Sequence, residues 1–218
     1  MGITDLISSL PSLIGKAVEA NQLIGYIAIL LAMFLENLIP PIPSELIMPL
    51  AGFYIYQGQL QFAPVVIAGL IGTVLGALPW YGIGKLFNEE KIEAWLDKNG
   101  RWIGINSTEL SRSRSWFNRY GYALVFWGRL VPGIRTLISV PAGIELMPMI
   151  PFLLWTTAGS LIWTFLLTIA GYYLGDGYSN VEIWLGPFSR FFKLLLIVAF
   201  TIGLLFFIIR TVRNFINK

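Results

Sequence analysis

The sequence predicts an all-α integral membrane protein: an inverted repeat of two facing re-entrant helical hairpins, with three spanning helices. Three observations carry this. Of 218 residues, 56% are hydrophobic and only 12% charged, against about 25% charged in a soluble domain. Second, Phe126 to Gly143 (FWGRLVPGIRTLISVPAG) places Arg129 and Arg135 inside an apolar run, on either side of Pro132-Gly133. A charge at membrane depth costs about 2.5–3.5 kcal/mol by insertion scales. Pro132 removes a backbone donor and Gly133 tolerates non-helical angles, so the run reads as a broken helix carrying cations. Third, the pattern occurs 92 positions earlier, in Glu36 to Gly52 (ENLIPPIPSELIMPLAG). Pro40 matches Pro132, Ser44 matches Thr136, Pro49 matches Pro141, and both copies run into Ala-Gly with a one-residue slip. Paired broken segments in corresponding halves point to a binding site between them.

Residues 1–22 form the first unit, an N-terminal amphipathic helix. Ile3, Leu6, Ile7, Leu10, Leu13, Ile14 and Val18 make one apolar face. The stretch is too polar to span and lacks the apolar core of a cleaved signal. It suits a helix lying in the membrane interface, and equally a helix packed on the protein's own surface.

Residues 23–175 form the membrane domain. Leu23 to Leu35 is too short to span before the prolines, since a span needs about 20 residues. The expectation is a re-entrant hairpin over about 23–56, descending through Ile39 and returning from Ser44 to Tyr56, with breaks at Pro40 and Pro43. Residues 60–87 are long enough to cross. Gly72 and Gly76 form a small-xxx-small pair, which favours internal close packing over dimerisation, and Pro79 should kink the helix. Residues 88–120 read as an interfacial segment. Acids and bases nearly balance there, and Trp95, Trp102 and Trp116 suit the headgroup level. A mixed charge run of this kind is a solvated face rather than a catalytic one. The second hairpin covers about 121–147, broken at Pro132, Gly133 and Pro141, and residues 148–175 cross again. Residues 176–218 add a loop, a plain C-terminal spanning helix and a basic tail with Arg210, Arg213 and Lys218.

Lys and Arg counts set the orientation. With both hairpins turning back, the nine basic residues of the central loop and the tail fall inside, against three outside from the N-terminal region and the 176–193 loop. The N-terminus is then outside, the C-terminus is cytoplasmic, and the hairpins enter from opposite faces. Five ordinary spanning helices would give the same end orientation.

Glu36, Glu45, Arg129 and Arg135 are the ionisable residues of the broken segments, and their formal charges cancel. Two buried ion pairs would explain them structurally, but buried pairs rarely improve on apolar packing, and intramembrane charges are functional by default. Arginine offers a planar fork matched to phosphate, and a carboxylate at a low-dielectric break can carry a proton. Substrate binding is therefore expected at Arg129, Arg135, Glu36 and Glu45, with Ser44 and Thr136 beside them. The chain has no cysteine and no histidine. This excludes disulfides, thiol catalysis and histidine-ligated metal and argues against an enzyme. No cofactor and no metal site is expected, and a net charge of +3 is too small to argue for nucleic acid.

Phe126-x-x-Arg129-x-x-Pro132-x-x-Arg135, followed by Pro141-Ala142-Gly143 and Met147, resembles the DedA family, the bacterial branch of the VTT-domain membrane proteins. Glu36-x-x-x-Pro40-x-x-Pro43-Ser44-Glu45 and the glycine-rich Gly72–Gly84 with Tyr81 support the resemblance, which covers roughly residues 25–175. It implies two facing re-entrant hairpins in the cell membrane and movement of lipids with anionic head groups between leaflets. Undecaprenyl phosphate or a phospholipid would be the cargo, with transport often tied to the proton motive force. By position, Glu36, Arg129 and Arg135 match the family's important residues, and Glu45 follows. Many members carry an acid in the glycine-rich helix, whereas Ala77-Leu78-Pro79-Trp80 offers none here, which counts against strict proton coupling. The other readings of the same residues are a proton-coupled small-solute or ion transporter, a lipid phosphatase and a membrane scaffold. The sequence sets neither the lipid nor the oligomeric state.

Overall fold

The structure, a computed structural model, describes residues 3–38, 44–87, 107–132, 134–175, 177 and 201. Every regular element among them is helical: α1 (Ile3–Ala20), α2 (Gln22–Leu38), α3 (Ser44–Tyr56), α4 (Phe62–Leu86), α5 (Ser107–Arg129), α6 (Ile134–Leu137), α7 (Ser139–Ile144) and α8 (Met149–Leu174). The expected breaks at Pro40, Pro43 and Gly133 lie outside the described residues. So do residues 88–106 of the interfacial segment and, apart from 177 and 201, the 176–218 unit with its third spanning helix.

Helices α4 and α8 contain 25 and 26 residues, above the length needed to cross a bilayer, and 18-residue stretches within them have mean hydropathies of 2.0 and 1.6. Their outward faces are apolar: Ile67, Ile71 and Leu75 on α4, and Leu154, Leu161 and Phe165 on α8, are exposed. Polar residues are buried instead, among them Thr73 on α4 and Thr156, Ser160, Thr164 and Thr168 on α8. Polar inside and apolar outside is the arrangement a lipid solvent requires.

Glycines fix how the helices meet. Gly72 and Gly76 of α4 lie against the Leu30 and Phe34 carbonyls of α2, so this pair serves internal packing. Gly159 of α8 likewise lies against the Phe126 carbonyl of α5. Helices α3 and α7 pack on α8 and α4 in the same manner. In α3, Gly52 abuts the Thr168 carbonyl, and Gly171 of α8 abuts the Pro49 carbonyl. In α7, Gly143 abuts the Tyr81 carbonyl, and Gly84 of α4 abuts the Val140 carbonyl. Pro49-x-x-Gly52 on Thr168-x-x-Gly171 is thus answered by Val140-x-x-Gly143 on Tyr81-x-x-Gly84. Any side chain at these glycines would force the backbones apart.

Helices α3 and α7 end in the same way. Gly58 N donates to Ile55 O and Gln59 N to Tyr54 O; Leu146 N donates to Gly143 O and Met147 N to Ala142 O. These are Schellman closures. The left-handed position falls on Gly58 (φ 75) in the first and on Leu146 (φ 51) in the second. The second closure aims the Met147 carbonyl at α4, where the Tyr81 hydroxyl donates to it at 2.6 Å.

One sequence boundary shifts. Helix α5 runs unbroken from Ser107 to Arg129, across the expected division at 120–121. The polarity changes there, but Gly121 alone does not end a helix. Helix α4 is a single helix with Pro79 inside it, as expected of the crossing segment. Helix α1 packs on the protein: Ile14 and Val18 are buried in the core formed with α2, α3 and α4.

Candidate functional site

The centre of the molecule is built where α2 and α5 end. Glu36 and Asn37 sit in the last turn of α2 and Arg129 is the last residue of α5. A helix C-terminus carries partial negative charge, which favours Arg129 and disfavours Glu36. Glu36 therefore needs a cation, and Arg135 of α6 supplies it: the Arg135 Nη2 donates to Glu36 Oε1 in a buried ion pair. The Arg135 guanidinium also lies 5.8 Å from the Trp163 ring centroid, within cation–π range. Thr136 is buried beside it.

Arg129, only 1% exposed, is the largest fully buried side chain described. Its Nη2 donates to Ser139 Oγ at 2.7 Å and its Nη1 to Asn37 Oδ1 at 3.3 Å. Both acceptors are neutral, and no described carboxylate pairs with it. Asn37 Nδ2 donates in turn to Glu36 Oε2 at 3.4 Å, and Trp80 Nε1 of α4 donates to the Asn37 carbonyl at 3.0 Å. One network thus joins α2, α4, α5, α6 and α7.

Of the expected site residues, the structure brings Glu36, Arg129, Arg135 and Thr136 together. Glu45 lies half-buried in the first turn of α3 and makes no ion pair with a described residue. Ser44 opens that helix. Pro132 sits in the turn between α5 and α6, and Pro141 lies in the first turn of α7, where a missing donor is harmless. Two ion pairs would have balanced four charges; among the described residues there is one. Asn37 stands where a carboxylate for Arg129 would have to be.

Asn37, Ser139, Trp80 and the hydroxyls of α8 were not picked out from the sequence. The signals were there. Asn37 is 92 positions before Arg129, so it is Arg129's counterpart in the first copy. Thr156, Ser160, Thr164 and Thr168 recur every fourth residue, a polar stripe down an apolar helix.

Comparison with known proteins places the chain in a class of membrane protein before any single relative is considered. Residues 42–173 match the VTT domain, and the chain belongs to this family, that of the DedA proteins. Among its relatives, undecaprenyl phosphate transporter A of Staphylococcus aureus (strain NCTC 8325 / PS 47) is 34% identical over 80% of this chain and 86% of its own. The protein of the same name from Bacillus subtilis (strain 168) is 30% identical over 91% of this chain and 95% of its own. An alkaline phosphatase-like protein of Lactococcus lactis subsp. cremoris (strain MG1363) is 36% identical over 88% of this chain and 90% of its own. No solved structure matches.

Proposed function

We propose that this protein moves a phosphate-bearing lipid, undecaprenyl phosphate or a phospholipid, between the leaflets of the cell membrane. The observation that carries the reading is the buried guanidinium pair, Arg129 and Arg135, at the junction of the broken segments in an apolar-surfaced helical domain. Two relatives named for undecaprenyl phosphate transport support it. In this reading Glu36 holds Arg135 in the resting state. Protonation of Glu36, or arrival of a phosphate, frees the fork for the head group. Glu45, Ser44 and Thr136 lie along the path. Transport rather than catalysis is the reading that the transporter-named relatives favour, and the chain has no histidine or cysteine to serve as base or nucleophile.

The architecture we propose is the inverted repeat of residues 23–175. The hairpins at 23–56 and 121–147 enter from opposite faces, α4 and α8 cross, and residues 1–22 lie at the interface. The crossed glycine contacts of α3 on α8 and α7 on α4 support this, because an exchange of halves maps one onto the other. The N-terminus is outside and the C-terminus, after a third crossing, is cytoplasmic.

Vesicles containing the protein and a polyprenyl phosphate labelled in one leaflet provide the test. Equilibration of the lipid with its phosphate intact is expected. Phosphate release would instead make the protein a phosphatase and overturn the reading. The chain has no cysteine of its own, so a cysteine at Asn106 should label only from the cytoplasm and one at Ser179 only from outside. Labelling of both from one face would remove the inverted topology.

A further inference from the structure

Four buried side-chain polar atoms among the described residues have no hydrogen-bond partner: Thr73 Oγ1, Thr156 Oγ1, Ser160 Oγ and Arg129 Nε. Buried polar groups are nearly always satisfied, so each exception calls for a reason. The three hydroxyls each lie within one helical turn of a glycine that packs on Arg129 or on Asn37. Gly159 presses against the Arg129 side chain, and Thr156 and Ser160 flank Gly159 on the same face of α8. Gly76 presses against Asn37, which accepts from Arg129, and Thr73 is one turn before Gly76 on that face of α4. Thr164 and Thr168, lower on the α8 stripe, donate to the Ser160 and Thr164 carbonyls at 2.9 and 2.7 Å. The same backbone bond is open to Thr156 and Ser160 by helix geometry, yet their hydroxyls do not make it.

Charge adds a second argument. Arg135 is neutralised by Glu36, whereas Arg129 has only Asn37 and Ser139 as acceptors. A buried cation without an anion is the costlier of the two states. Asn37 and Arg129 are counterparts 92 residues apart that touch each other. Positions related by a two-fold axis meet only near that axis.

We propose that Arg129, with the hydroxyls of Thr156, Ser160 and Thr73, forms an oxyanion station on the axis of the repeat, separate from Arg135, where a phosphate binds before Arg135 is freed. Arg129 supplies the charge and a donor at Nε, and three hydroxyls supply donors to the remaining phosphate oxygens. The station rests on the repeat and lipid readings above, and its test separates from theirs.

The experiment is binding of farnesyl phosphate, farnesol and inorganic phosphate to the purified full-length protein in detergent. Wild type should bind farnesyl phosphate and not farnesol. T156V combined with S160A should weaken that binding about tenfold or more, as expected for lost hydrogen bonds to a charged group. The unliganded melting temperature should not fall, because an unpartnered hydroxyl is being removed. Unchanged affinity in the variant overturns the station, and so does a wild type that binds neither phosphate. Should the double variant not fold, T73V on α4 carries the same test with the same two outcomes. Inorganic phosphate binding as tightly as farnesyl phosphate, and weakened by the same variants, would keep the station and overturn the lipid reading. Binding of farnesyl phosphate without lipid movement in vesicles would keep the station and overturn the transporter.

Discussion

The two broken helix pairs share their mechanics and differ in their charge. The first, α2 with α3, and the second, α5 with α6 and α7, lay their arms on glycines and close α3 and α7 with the same carbonyl pattern. Their charged residues do not correspond. Asn37 faces Arg129 across the equivalent position, and Glu36 reaches across to Arg135, which has Pro43 as its counterpart. What repeats is scaffold, and what fails to repeat is chemistry. Within the chemistry there is a further inequality: Arg135 is locked to a carboxylate and Arg129 is not.

That inequality can be broken most forcefully at Arg135. Arg135→Ala leaves Glu36 buried and uncompensated, and should cost about 3–5 kcal/mol of stability, whereas Glu36→Gln with Arg135→Gln together should recover most of it. Thermal melts in detergent check this; an additive double variant would deny the pairing. The scaffold half of the comparison is tested by Gly52→Val and Gly143→Val. Each inserts atoms against a backbone carbonyl, of Thr168 or Tyr81, and each should cost about 1–3 kcal/mol or more. Clearly unequal losses would undo the correspondence of the two crossings. Arg129→Gln sharpens the contrast, since it removes a cation with no carboxylate partner. Its melting should fall by less than that of Arg135→Ala, by about 1–3 kcal/mol for the acceptors left at Asn37 and Ser139, while lipid movement is lost. The smallest effect is at Leu146. Leu146→Gly removes a left-handed strain of about 1–2 kcal/mol against about 0.5–1 kcal/mol of added chain freedom. A modest gain in melting temperature is expected, and Gly58→Leu in the first closure should lower it.

Much of this was legible in the sequence because it rests on local chemistry. Pro132 between two arginines announces a break, and Gly72-x-x-x-Gly76 announces a close helix contact; the structure has both. The pairing of charges was not legible. Formal cancellation suggests two ion pairs, but which carboxylate meets which guanidinium depends on where the C-terminal ends of α2 and α5 come together, and there Asn37 meets Arg129. The hydroxyl stripe of α8 was hidden for another reason. Serine and threonine are tolerated in apolar helices by bonding their own backbone, as Thr164 and Thr168 do, so only packing separates them from Thr156 and Ser160. The 120–121 boundary misled because polarity changes there without a change in the backbone.

The central claim is that a guanidinium fork, and not merely a positive charge, handles the phosphate of a lipid. The most direct measurement is the rate at which vesicles equilibrate a leaflet-labelled polyprenyl phosphate with Arg135→Lys in place of wild type, normalised to folded protein by gel filtration. Lysine keeps the ion pair with Glu36 and loses the paired donors. The account predicts a folded protein whose lipid movement falls to the protein-free background. Wild-type rates from Arg135→Lys would contradict it and leave Arg135 as a counter-ion of Glu36.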